Sequence, residues 1–247
     1  MFEKYFNNKF LILYFIPFIL GSLSILAFNP FNITILNLLI FPLFFYLTIY
    51  INKKSKATYR KKPYKKNLFI FGLFFGLGFY ITGVSWISNS LTFDESFKIL
   101  IPFSLILIPL FLSLFIAIPI VIVGPHLRLN FTSIFIFSSS LAFSDYVRAK
   151  ILTGFPWNLW AYSTTSLNEI IQIVNIIGLY SYNLILITFF TFPIIFLFKI
   201  SNVKKIITFF SIFLTILSLY IYGNYEINKN EKRLNSANQR IFIKVVS

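Results

Sequence analysis

Long apolar runs alternate with short polar segments along the chain. A helix needs about 20 apolar residues to cross the hydrocarbon core of a bilayer, and most of the runs have at least that length. Because backbone groups in lipid must be hydrogen-bonded within the segment itself, such runs form helices. The pattern predicts an all-α polytopic membrane protein with about seven transmembrane helices, at residues 10–28, 33–51, 68–91, 99–123, 131–152, 170–198 and 203–222.

The segment 52–67 contains eight lysines and arginines and no acidic residue. Loops on the cytoplasmic side of a membrane are enriched in basic residues, so this loop is predicted to be cytoplasmic. Seven spans then place the N-terminus in the cytoplasm and the C-terminus outside it. A patch for anionic lipid or nucleic acid is the alternative interpretation. Topology explains the charges more simply, and no nucleic-acid partner is predicted.

The composition agrees with a membrane location and excludes several kinds of site. Hydrophobic residues make up 57% of the 247 residues and charged residues 12%, with a mean hydropathy of +0.81. The chain has no cysteine, which excludes a disulfide, a thiolate metal site and a cysteine nucleophile within it. Its single histidine, His126, has no cysteine or acid close in sequence with which to share a metal ion. We therefore predict no metal site and no cofactor.

One segment, residues 145–163, combines charges, a turn and large aromatic side chains. Asp145 and Arg148 stand three residues apart, which suits an ion pair on one helix face. The planar guanidinium of Arg148 also suits the oxygens of a phospholipid phosphate. Both interpretations of Arg148 stay open at the level of sequence.

The same segment contains a predicted turn followed by aromatic rings. Glycine adopts backbone angles closed to other residues, and proline fixes its own φ and disfavours a helical conformation in the residue before it. The arriving helix is therefore predicted to break at Thr153 and Gly154, before Phe155 and Pro156. The rings that follow are of the amphipathic kind that settles at the depth of lipid headgroups: Trp157, Trp160 and Tyr162.

The third apolar run carries four glycines and ends near a tryptophan. Gly72 and Gly76 have the small-xxx-small spacing that lets two helices approach closely, and Gly78 and Gly83 follow on the same run. Trp86 is predicted to mark the extracytoplasmic interface.

Beyond the last run the composition becomes polar. We expect a transmembrane domain over residues 1–223 and a polar, asparagine-rich linker over residues 224–240. Residues 241–247 have the β-branched pattern of a strand. A single strand needs partners for its backbone groups, so we expect that a second, extracytoplasmic domain begins here and that the chain is truncated.

Three motifs in order resemble the apolipoprotein N-acyltransferases. The first is Ala-Phe-Asn-Pro-Phe at residues 27–31, and the second runs from Gly78 through Trp86 to residue 91. The third and most specific is Thr-Gly-Phe-Pro-Trp at residues 153–157, which continues to residue 163.

The resemblance implies a multi-pass protein of the bacterial inner membrane that takes part in lipoprotein maturation. Such enzymes transfer an acyl chain from a phospholipid to the N-terminal cysteine of a diacylated apolipoprotein. Their nitrilase-like domain carries a Glu-Lys-Cys triad, whose thiolate takes the acyl group as a thioester before the lipoprotein amine displaces it. In these terms residues 241–247 are the start of that domain. Since the triad is absent here, the resemblance implies that the chain is inactive alone.

The resemblance also suggests a task for the membrane part. Residues 153–162, with Arg148 nearby, are expected to form a platform that supports the catalytic domain and admits acyl chains. Two rival classes are a transporter component and a catalytically inactive scaffold. The spans contain almost no ionisable residue of the kind that marks an ion path, and no inverted repeat with paired broken helices is visible.

Overall fold

The computed structural model describes residues 8–57, 63–151 and 154–236, and these residues are almost entirely helical, with no strand among them. The strand expected at residues 241–247 lies outside the described residues. Nine helices, numbered in chain order, organise the described part: α1 (Leu11–Ala27), α2 (Asn37–Ala57), α3 (Tyr64–Val84), α4 (Ile101–Val123), α5 (Phe131–Arg148), α6 (Asn168–Ile171), α7 (Val174–Ile177), α8 (Leu179–Thr191) and α9 (Asn202–Ser236).

Short 3₁₀ segments extend several of these helices. Ser85–Thr92 continues α3, Glu95–Leu100 leads into α4, and Phe192–Leu197 continues α8. With these extensions, five helices of the described part are long and apolar enough to cross a membrane, namely those that contain α2, α3, α4, α8 and α9. The helix Leu11–Ala27 is apolar but shorter. The chain therefore has the character of a multi-pass membrane protein, whereas seven spans and the orientation of the termini stay predictions.

The fifth, sixth and seventh predicted spans differ clearly from the structure. The fifth run ends as a helix at Arg148 rather than at residue 152, because the chain folds back and the carbonyl of Arg148 accepts a hydrogen bond from Phe155 N–H. The sixth run is not continuous, since Gly178 has a φ of 78° and separates α7 from α8. The last helix continues beyond residue 222 to Ser236, so the first part of the predicted linker is helical.

α3 lies at the centre of the packing, between α1 and α4. A Cβ added at Gly72 would lie 2.8 Å from Ala117 Cα, and one at Gly76 would lie 2.6 Å from Ser113 Cβ. On the other side of α3, Gly78 meets the backbone carbonyl of Phe18 in α1. These approaches are the close helix contacts that small residues permit in membranes.

We predict that Gly76→Leu weakens the contact between α3 and α4. The new side chain has no space beside Ser113, and overpacking of this kind typically costs about 1–3 kcal/mol. The apparent midpoint of thermal unfolding in detergent micelles should fall. Thr82→Leu is the control, because it places the same leucine side chain at an exposed position of the same helix. Equal midpoints for the two variants would contradict the prediction.

Candidate functional site

A buried ion pair lies at the C-terminal end of α5. Arg148 Nη2 lies 3.0 Å from Asp145 Oδ1, and the two residues are only 2% and 6% exposed. Burying two charges costs several kcal/mol for each ion unless partners satisfy the remaining donors and acceptors. The site is therefore defined by what surrounds this pair.

Arg148 connects the helix end to the loop that follows. Its Nη1 donates to the carbonyl oxygens of Phe155 at 3.0 Å and Trp157 at 2.7 Å. The guanidinium also lies over the ring of Tyr80 from α3, 5.5 Å from the ring centre, in a cation–π arrangement. Its Nε has no hydrogen-bond partner in the described part of the chain. The ion pair with Asp145 is thus present in a guanidinium that is almost entirely buried, and a contact with a lipid phosphate stays a prediction.

Asn183 of α8 completes the network from the opposite side. Its Nδ2 donates to Asp145 Oδ2 at 2.9 Å, and its Oδ1 accepts from Ala161 N–H at 2.9 Å. The amide thereby joins α5, α8 and the loop at one point. Asn183 is not among the residues that the sequence motifs indicate. The available signal was an asparagine within an apolar run, since polar residues inside membrane helices generally have a partner.

Two residues with a left-handed backbone conformation shape the loop itself. Gly154 has a φ of 78°, as its sequence position suggested, and Asn158 has a φ of 56°. The Asn158 side chain donates to the carbonyl of Gly83 at 3.4 Å, so the loop rests on the end of α3. A Cβ at Gly83 would require the ends of the Asn158 and Ile25 side chains to shift. Thr153 lies outside the described residues.

Trp160, predicted to lie at headgroup depth, is buried in the protein core. It is only 4% exposed and belongs to the short 3₁₀ helix Trp160–Thr164, which turns the loop inward. Its ring stacks on Phe79 at 4.4 Å between centres and meets Phe41 edge to face at 4.7 Å. The indole therefore fixes the loop to the core between α2 and α3.

Trp157 and Trp86, in contrast, form an exposed pair. Each is 53% exposed, and their rings meet edge to face with centres 5.8 Å apart. Pro156 beside them is exposed, and Phe155 is half-buried. Tyr162 is also half-buried, and burial together with the nearby Tyr180 raises the pKa of its phenol.

The described side chains of the site position the loop and form no metal centre. Among residues 8–57, 63–151 and 154–236, no group of three His, Cys, Asp or Glu side chains could hold a metal ion. Asp145 is fully engaged by Arg148 and Asn183. The arrangement is a loop held by a buried charge network, with the exposed indole of Trp157 beside that of Trp86.

We predict that Asn183→Leu loosens the loop. The change removes the hydrogen-bond partner of two buried groups, Asp145 Oδ2 and Ala161 N–H. An unsatisfied neutral group such as the N–H costs about 1–3 kcal/mol, and a charged group such as the carboxylate costs more. The expected result is a lower unfolding midpoint in detergent and faster proteolysis within the loop. Asn175→Leu, at an exposed position of α7, should change neither quantity. If both variants behave alike, the network does not hold the loop.

Comparison with known proteins places these features in a family. Residues 20–192 match the family model described as the apolipoprotein N-acyltransferase N-terminal domain. This match includes α1 to α8 except for residues 11–19 of α1, and it contains the whole loop.

Curated relatives agree with this match. The chain is 27% identical over 191 residues to an apolipoprotein N-acyltransferase of Rhodopseudomonas palustris, which is 77% of this chain and 34% of that protein. It is 30% identical over 174 residues to one of Bradyrhizobium diazoefficiens, or 70% of this chain and 31% of that protein. The match thus spans about a third of the relatives' length.

The resemblance predicted from the three motifs is therefore confirmed. The family model matches more than half of the residues of this chain, and the chain therefore belongs to the apolipoprotein N-acyltransferase N-terminal domain family.

Proposed function

We propose that the chain is the membrane part of a lipoprotein N-acyltransferase of the bacterial inner membrane. The reaction moves an acyl chain from a membrane phospholipid to the N-terminal cysteine of a diacylated apolipoprotein. The observation that carries the proposal is the family match over residues 20–192, which contains the loop and its charge network. The chain has no cysteine, so the thiolate of the expected triad is assigned to residues outside it.

Within this proposal, residues 153–162 form the platform that faces the catalytic domain. Two tryptophans of the loop support this assignment. Trp160 is buried and anchors the loop in the core, whereas Trp157 is exposed beside Trp86. Exposed indoles at a membrane interface contact both headgroups and acyl chains. Arg148 serves the platform indirectly, by holding two carbonyls of the loop in place.

The direct test is acylation of a lipoprotein in cells. The complete reading frame that contains this chain is expressed in a bacterium depleted of its own apolipoprotein N-acyltransferase. Mass spectrometry of the N-terminal peptide of a reporter lipoprotein should then show an added amide-linked acyl chain. The 247-residue chain alone should leave the reporter diacylated.

Two results would overturn parts of this proposal. A reporter that stays diacylated, although the complete polypeptide reaches the membrane in normal amount, would favour an inactive scaffold. Acylation by residues 1–247 alone would show that the chemistry does not need a cysteine from outside the chain.

The platform is tested by Trp157→Ala in the same complete polypeptide. Removing an exposed ring should lower acylation several-fold while the amount of folded protein stays the same. Phe143→Ala is the control, because Phe143 is an equally apolar, exposed residue of α5 that lies outside the loop. Unchanged acylation in Trp157→Ala would exclude a contribution of this indole to the platform.

A further inference from the structure

The first of the three sequence motifs lies in the tight connection between α1 and α2, residues 28–34, which we call the first turn. Asn32 has a left-handed backbone conformation with a φ of 57°, and its N–H donates to the carbonyl of Phe28 at 2.9 Å. Ile33 N–H donates to the carbonyl of Leu26 at 2.8 Å. These bonds give the first turn a defined shape of its own.

Two side chains of the first turn bond to the far end of the loop. Thr34 Oγ1 donates to the carbonyl oxygen of Ser163, and Asn29 Nδ2 donates to Thr165 Oγ1 at 3.2 Å. The paired residues are 129 and 136 positions apart in sequence. The two bonds therefore come from the tertiary fold and hold the first turn against the C-terminal part of the loop.

An aromatic cluster joins the first turn to the core. The buried ring of Phe28 has its centre 6.0 Å from that of Trp160 and 5.8 Å from that of Phe79, and the last two rings stack on each other. Each of these three rings comes from a different one of the three sequence motifs. The motifs, although distant in sequence, thus meet at one point beside the loop.

The bond from Thr34 meets a requirement of the loop. Ser163 is fully buried, and a buried backbone carbonyl needs a partner within the protein. Carbonyl groups near the end of a short helix lack such a partner in the helix itself. On the other side of Tyr162, Ala161 N–H is held by Asn183. Side chains from outside the loop therefore hold the backbone on both sides of Tyr162, the last residue of the platform.

We propose that the first turn is a positioning element of the platform, in which Thr34 acts through the Ser163 carbonyl and Asn29 acts through the Thr165 hydroxyl. Both residues affect acylation indirectly, because they fix the backbone that carries Tyr162. This proposal rests on the proposed transferase function, since the platform has a task only in a working enzyme.

The first measurement is amide hydrogen exchange, read by mass spectrometry on the complete polypeptide in detergent micelles. Thr34→Val removes the hydroxyl but keeps the branched shape, so residues 160–165 should exchange several-fold faster than in the unchanged protein. Thr34→Ser keeps a hydroxyl and should restore slow exchange. Thr208→Val is the matched control, because Thr208 is half-buried like Thr34 and its hydroxyl donates to Lys204 O within α9.

The second measurement is the rate of acylation of a reporter lipoprotein at several mole fractions of phosphatidylethanolamine in mixed micelles. Thr34→Val should raise KM for the phospholipid several-fold, and Thr34→Ser should return KM to its original value. A mere loss of folded protein lowers only the maximal rate, because the molecules that stay folded keep a normal KM. Asn29→Ala, at an exposed position, should also raise KM and keeps the test decisive if Thr34→Val fails to fold.

The outcomes separate this proposal from the transferase proposal. A folded, unchanged polypeptide that transfers no acyl chain would overturn both, whereas the exchange measurement would still show whether the first turn holds the loop. Equal exchange of residues 160–165 in Thr34→Val and Thr208→Val would show that the bond to Ser163 does not hold the loop. Faster exchange with an unchanged KM would limit the first turn to stabilising the fold and overturn its positioning role.

Discussion

The ion pair between Asp145 and Arg148 is the constraint on which the loop and its surroundings depend. The burial of two charges is costly unless most of their remaining hydrogen-bonding groups find partners. Here the partners come from three directions: two loop carbonyls, the ring of Tyr80 and the amide of Asn183. The charge pair therefore dictates where α5 ends and how closely α8 approaches.

Aromatic packing connects the loop, and through the loop the ion pair, to the protein core. The loop leaves the charge network at Trp157 and returns to the bundle at Trp160, whose indole lies among phenylalanines of α2 and α3. α3 can take its central position because Gly72 and Gly76 let α4 approach at backbone distance. The loop is thus held by charge at one end and by aromatic packing at the other, while Trp157 between them stays exposed.

Local sequence patterns predicted part of this arrangement. Apolar runs indicated the helices, the i,i+3 spacing indicated the ion pair, and Gly154 indicated a turn. The burial of Trp160 was not predictable, because tryptophan suits both an interface and a core, and only the inward turn of residues 160–164 decides between them. Asn183 is 38 residues from Asp145, so its contribution appears only when α5 and α8 are packed together.

The loop is tightly held and α9 is loosely held because a membrane protein has lipid rather than water around its helices. In water, a helix with a buried fraction as small as that of α9 would expose much apolar surface at a large cost. In a bilayer, lipid chains are as apolar as the side chains, so no hydrophobic force closes the gap between α9 and the body. Membrane helices then associate where backbones come close or where polar groups pair, as at Gly223 and at Lys205. Between such points, no comparable interaction draws α9 toward the body.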